Sequence, residues 1–272
     1  MTKIGVLQMT SGIDPENNFR VLQDAAKDAA NADASMLFTP EMSLMLDRDR
    51  SRAARRIEAG MESYVERLGE VATENEIYLA IGSMALAGTT GKWLNRSLIF
   101  DPDHPRRPAH YDKMHMFDVD LASGESWRES SAYQAGNSIV SLEDTPVGRL
   151  GLAICYDLRF PALFEALGAL HCDTIAIPAA FTVPTGEAHW HVLQRARAIE
   201  ASAFVVAAAQ VGEHEDGRHT FGHSLVIDPW GEVLLDMGGE TAGLAFVDID
   251  LARIAEVRSQ VPSLANRRKI AN

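Results

Sequence analysis

Only two of the 272 residues are cysteine, too few for the disulfide framework of a small secreted domain; two free thiols in a reducing compartment fit better. No stretch approaches the roughly 18 consecutive apolar residues needed to cross a bilayer. The opening MTKIGVLQM runs straight into a strand-like pattern, without the basic and apolar segments of a secretory leader. The expectation is a soluble, cytoplasmic protein with no membrane partner. Positive charge is scarce as well: 25 Lys and Arg face 38 Asp and Glu, a formal net charge of −13, with no run of five basic residues. Such a surface repels a phosphate backbone, which makes nucleic acid a poor partner. The densest basic patches, Arg48–Arg56 and Arg267–Lys269, read as solvated helix faces and a tail. Also missing are the serine-hydrolase elbow G-x-S-x-G and the phosphate-binding patterns G-x-x-x-x-G-K-[ST] and G-x-G-x-x-G. Internal repeats, low-complexity tracts and Pro/Gly-rich linkers are lacking. At 46% hydrophobic the chain can bury one large core, so residues 1–272 are read as a single domain.

What is present is a succession of short runs rich in Val, Ile and Leu. Strands are expected at Lys3–Met9, Ser35–Thr39, Ile77–Ser83, Ser97–Phe100, Arg149–Cys155, Thr174–Pro178, Ala203–Ala209, Ser224–Asp228, Val233–Asp236 and Leu244–Ile249. Several are apolar almost throughout, as strands covered on both faces are. Asp14 as N-cap with Pro15 behind it opens a helix carrying Phe19, Leu22, Ala25, Ala26 and Ala29 at helical spacing. Further helices are expected from about Arg50 to Glu74, from Pro161, and from about Glu187 to Ala201. Asp228-Pro-Trp-Gly231 has the residues of a type I turn and should close a hairpin. Strands alternating with helices, followed by a late hairpin, indicate an α/β architecture with a mixed sheet covered by helices. His115–Gly136 is non-periodic, at a length where loops are commonly functional.

The sharpest local signal is Gly151-Leu-Ala-Ile-Cys-Tyr-Asp-Leu-Arg-Phe160-Pro161, which places Cys155 at the end of a buried strand just before a helix. Crevices open at the carboxyl ends of α/β strands, and a following helix offers free N–H groups and a positive dipole end. Both lower a thiol pKa and favour an oxyanion. Glu41 follows the strand-like Met36–Pro40, and Lys113 follows Tyr111-Asp112. A thiol with an unperturbed pKa of about 8.5 needs a base near neutrality, which Glu41 can be, and Lys113 can stabilise an oxyanion.

These segments resemble the nitrilase superfamily of carbon–nitrogen hydrolases, and the likeness runs over nearly the whole chain. It rests on Phe38-Thr-Pro-Glu41, Tyr111–Asp118, Arg128-Glu-Ser130, Gly151–Phe160, Gly186–Trp190 and Gly222-His-Ser224 through Gly231. The resemblance implies a four-layer α-β-β-α sandwich of two mixed sheets, with Glu41 as general base, Lys113 as oxyanion-stabilising cation and Cys155 as nucleophile. It also implies Glu129 as a second carboxylate, either transferring protons or holding the lysine, and the Tyr156 backbone N–H as the rest of the oxyanion hole. A small carboxamide would be cleaved to the acid and ammonia through a Cys155 thioester, with no metal or cofactor. Phe181–Trp190 and Ala207–Gln210 look more like the deaminated-glutathione amidases than the ω-amidases acting on α-ketoglutaramate, and an N-carbamoyl hydrolase stands as a further alternative. A non-enzymatic family member serving as a binding protein is the alternative of another class. Arg159 either meets a substrate carboxylate or pairs with Asp157, and His189 and Trp190 either line the pocket or pack. His214, His219 and His223, with Glu215 and Asp216, read as a polar loop rather than a metal site. Related proteins form homodimers or larger homo-oligomers, and Val261–Asn272 looks suited to reach a neighbour.

Overall fold

Strands of the N-terminal half alternate between two apolar surfaces, and that alternation layers the computed structural model, which describes residues 1–120, 124 and 126–268. β1 (Thr2–Gln8), β2 (Met36–Phe38), β3 (Tyr78–Ala87), β4 (Trp93–Phe100) and β5 (Ala109–Asp112) lie side by side. Ile4, Val6, Met36, Phe38, Ala80 and Ile99 enter one core, whereas Leu7, Leu37, Leu79, Ile81, Leu98 and Phe100 enter another. With a side-chain period of two, both faces of this sheet are therefore buried. One face packs on α1 (Pro15–Asn31), α2 (Arg50–Gly60) and α3 (Ser63–Glu74), which supply Phe19, Leu22, Ile57 and Leu68.

After a ribbon of β6 (Asp118–Asp120) and β7 (Ser126–Arg128), the chain builds a second sheet. Its strands are β8 (Ser141–Thr145), β9 (Gly148–Leu152), β10 (Thr174–Ala176), β11 (Phe204–Ala207), β14 (Leu225–Ile227) and β15 (Val233–Asp236), ordered β15-β14-β11-β10-β9-β8. Between β11 and β14 comes a second ribbon, β12 (Val211–Glu213) and β13 (His219–Phe221), where the sequence reading had a loop. Phe38, Ala80 and Ile99 of the first sheet face Ala176 and Val206 of the second. α4 (Pro161–Ala169) and α5 (Val183–Ala201) pack outside, with Leu167 against Gly151. β16 (Gly243–Ile249) returns to pair antiparallel with β1, followed by α6 (Ala252–Gln260) and α7 (Ser263–Asn266). Each sheet mixes parallel and antiparallel pairs, and the whole is the expected four-layer α-β-β-α sandwich.

The expected helix over 50–74 is two helices, since Gly60 takes a φ of 145° that ends α2. Among the described residues no helix is long and apolar enough to cross a membrane. Residues 269–272 of the C-terminal tail, and 121–123 and 125 of the long loop, lie outside the described residues.

Candidate active site

Glu41, Lys113 and Cys155 each stand just past a strand, and sheet-like hydrogen bonds carry the backbone towards them. Thr39 N donates to Ala80 O (3.0 Å), Lys113 N to Asn95 O (2.9 Å), and Cys155 N to Pro178 O (2.8 Å). The strand expected through Cys155 ends at Leu152, because Asp157 redirects the chain. Its carboxylate accepts from Ile154 N (2.9 Å), Tyr111 Oη (2.8 Å), His115 N (3.0 Å) and His115 Nδ1 (2.7 Å). Residues Cys155–Arg159 thereby form a 3₁₀ turn, and α4 begins at Pro161 as expected. Cys155 opens that turn with φ 46°, a left-handed conformation rare for a side-chain-bearing residue and common where function demands it. The turn's first hydrogen bond runs from Asp157 N to Ile154 O, which leaves the Tyr156 N–H outside its ladder.

Three charged side chains meet beside the thiol. Lys113 Nζ donates to Glu41 Oε1 at 2.9 Å and to Glu129 Oε2 and Oε1 at 2.9 and 3.1 Å. Asn95 Nδ2 donates to the same two carboxylates at 3.0 and 3.1 Å, a partner that the sequence reading missed. Ala180 N donates to Glu41 Oε2 (2.9 Å), and Phe117 N to Glu129 Oε2 (2.7 Å). The Cys155 thiol lines the same cavity as Glu41 and Lys113, close enough for both charges to bear on it. Glu41, Lys113 and Cys155 are 5%, 2% and 8% exposed, so water screens their charges little.

Burial alone would raise the Glu41 carboxyl, but the Lys113 ammonium and the hydrogen bonds from Lys113 and Asn95 hold it below the ordinary carboxylate range. Burial likewise opposes charge on Lys113, and Glu129 and Glu41 overcome it, keeping the ammonium well above its usual value. Burial and then the Glu41 charge push Cys155 well up despite Lys113. The resting site is therefore a neutral thiol, a carboxylate base and a fixed cation. The raised thiol differs from the lowered one that the strand-to-helix setting suggested in the sequence.

These groups line a cavity of about 460 Å³, within the roughly 300–1,000 Å³ of small-molecule sites. Trp93, Phe117, Trp127, Tyr133, Tyr156 and Phe181 form its aromatic wall. Arg48 and Arg50, expected from the sequence on a solvated helix face, line the cavity instead, and with Arg128 and Arg218 they add positive charge. Arg218 is held by Asp216 (Nε to Oδ2 2.8 Å) and lies 5.2 Å over the Trp127 ring. Arg159, His189 and Trp190 lie outside the cavity. Trp190 is fully buried, packs on Phe181 and donates its indole N–H to His223 O (2.8 Å). Arg159 contacts His189 Nδ1 (3.2 Å) and sits behind Tyr156 and Phe181; Asp157, its expected partner, is occupied by Tyr111 and His115. His214 is buried between Ser11 O and Thr220 Oγ1, which fixes the ribbon against the N-terminal segment.

A family description, carbon–nitrogen hydrolase, matches residues 3–259. The chain belongs to that family. It is 38% identical to the deaminated glutathione amidase of Dictyostelium discoideum, over 100% of this chain and 95% of that protein. The crystal structure of the C. elegans NitFhit protein superposes with a TM-score of 0.91 at 36% identity, covering 98% of this chain and 65% of that longer fusion protein. A mutant of the amidase from Nesterenkonia sp. AN1, showing covalent addition of the acetamide moiety of fluoroacetamide at its active site cysteine, superposes with a TM-score of 0.80 at 25% identity. That likeness covers 98% of this chain and 94% of the amidase.

Proposed function

We propose that the protein hydrolyses deaminated glutathione through a thioester on Cys155. The observation that carries the mechanism is the buried Glu41–Lys113 pair lining the same cavity as the Cys155 thiol. The sulfur attacks the amide carbon as its proton passes to Glu41, and the oxyanion is stabilised by the Lys113 ammonium and the Tyr156 N–H. The C–N bond breaks as Glu41 returns the proton to nitrogen, leaving a thioester. Water then attacks with Glu41 as base again, the C–S bond breaks, and the thiol is restored with the Glu41 proton. Glu129 accepts from Lys113 through both oxygens and from Phe117 N, and acts as a positioning residue.

The substrate reading is supported by the named relatives and by the arginines around the cavity, which suit an amide bearing carboxylates. Deaminated glutathione has only secondary amides, so the leaving group is an amine such as cysteinylglycine. The ammonia expected from the sequence applies to α-ketoglutaramate instead. Two free cysteines support a reducing, cytoplasmic setting.

The test measures cysteinylglycine released from deaminated glutathione, and ammonia from α-ketoglutaramate and an N-carbamoyl compound, with Cys155→Ala as control. Deaminated glutathione is expected to have the highest kcat/KM, and the alanine variant no turnover. A preference for α-ketoglutaramate would overturn the substrate, equal rates for the two proteins would overturn the mechanism, and no turnover of any amide would leave a binding protein. Arg218→Ala is expected to raise KM for deaminated glutathione about tenfold or more with kcat little changed, as losing a charged hydrogen bond does.

A further inference from the structure

Away from the catalytic cavity, three side chains from three different segments converge on one point. His191 on α5 places Nε2 2.9 Å from Asp236 Oδ2, and His223, in the turn after β13, places Nδ1 2.9 Å from Asp236 Oδ1. One nitrogen from each ring and a carboxylate oxygen of Asp236 all lie within 4.8 Å of one another. We propose that His191, His223 and Asp236 form a binding site for a divalent transition-metal ion, with Zn²⁺ the best fit.

The donor set is two imidazoles and one carboxylate, the class that zinc and its neighbours in the series prefer over calcium or magnesium. Closing around an ion needs only modest side-chain shifts, since zinc binds such atoms at about 2.0–2.2 Å. The supports are already in place. His223 has φ 52°, a strained conformation for a residue with a side chain. Its backbone is pinned by His223 N to Gly238 O and Trp190 Nε1 to His223 O, both 2.8 Å. Gly238 N donates to Asp236 Oδ1 (2.9 Å), and the two rings flank Phe221, His223 stacked at 4.4 Å and His191 edge-on at 6.2 Å. Side-chain exposures of 36%, 26% and 34% for His191, His223 and Asp236 leave room for water to complete the coordination shell. Each ring offers the ion the nitrogen that now faces the carboxylate. None of the three side chains lines the cavity holding Cys155, so the ion would tie α5 to β15 and take no part in the thioester cycle.

The experiment titrates ZnCl₂ into chelator-treated full-length protein by calorimetry and repeats the titration on His191→Ala, Asp236→Asn and Cys155→Ala, each checked for folding by circular dichroism. One ion per chain with micromolar affinity is expected, weakened at least about tenfold by either ligand substitution and unchanged by Cys155→Ala. Co²⁺ should give visible bands of nitrogen and oxygen ligation without a thiolate charge-transfer band. No saturable binding, binding insensitive to the two ligand substitutions, or binding lost with Cys155 would overturn the proposal.

Discussion

Lys113 stands between two carboxylates where little water reaches. Replacing it with methionine leaves Glu41 and Glu129 facing each other without a cation. Lys113→Met is expected to cost about 3–5 kcal/mol of stability, the range for breaking a buried ion pair, and to abolish turnover. Urea denaturation beside an activity assay checks both, and a loss under about 1 kcal/mol would place the pair in the surface class. The pKa directions give a second expectation. Glu41 is lowered in the fold, so its stabilisation is complete above the unfolded value of about 4.3 and is lost as pH falls through the folded value. Lys113 is raised, so its contribution is complete below about 10.4 and is lost as pH rises through the folded value. With Cys155 also raised, kcat/KM should be flat from about pH 5 to about pH 8.5. A limb centred near 6.5 in the pH profile would implicate a histidine instead. Glu41, Lys113 and Cys155 were named by the family resemblance, since each alone could be an ordinary loop charge or buried thiol, and the fold lines one cavity with all three. Arg218 was not, because an arginine in a polar hairpin looks solvated until Trp127 is seen beneath it. Trp190 misled for the opposite reason, since an aromatic near the start of a helix fits a pocket or a core equally well until the helix's rotation is fixed.

At the scale of elements, the 3₁₀ turn at Cys155 depends on one side chain. Removing the Asp157 carboxylate strands a tyrosine hydroxyl, an imidazole and two backbone N–H groups together. Asp157→Ala is therefore expected to cost about 3 kcal/mol or more and to lower kcat more than it raises KM, because the nucleophile loses its fixed position. Chemical denaturation with steady-state kinetics tests this, and a fully active, stable variant would show that the turn holds without its cap. The long buried strands and α1 were readable from periodicity and capping, with Asp14 accepting from Glu16 N as its place before Pro15 suggested. The ribbons β6–β7 and β12–β13 were not, because strands of three residues are too short for a period of two to stand out. β8 hid for a related reason: Ser-Leu-Glu-Asp-Thr at a sheet edge carries the polar residues that edges favour.

For the whole molecule, the layering followed from family resemblance more than from any single segment, since strands covered on both faces look alike in sequence whichever sheet they join. One surface remains conspicuously apolar. Val192 and Ile199 on α5 are 68% and 49% exposed, and Trp230 in the adjoining hairpin turn is 49% exposed. Gly231 lies directly against Ile199, so helix and hairpin make one strip. A second copy of the chain is proposed to cover it; the resemblance implies pairing between copies, there expected through Val261–Asn272. Light scattering on the eluting protein should give a dimer or larger, shifted towards monomer by Val192→Asp with Ile199→Asp; a wild-type monomer at micromolar concentration would refute the pairing. The partnership of β1 with β16 bears on how the molecule is made. Thr2 leaves the ribosome well before its neighbour Ile249, which follows it by most of the chain. Until β16 is made, β1 has a bare edge, a natural point of contact for chaperones and for mispairing between polysomal neighbours.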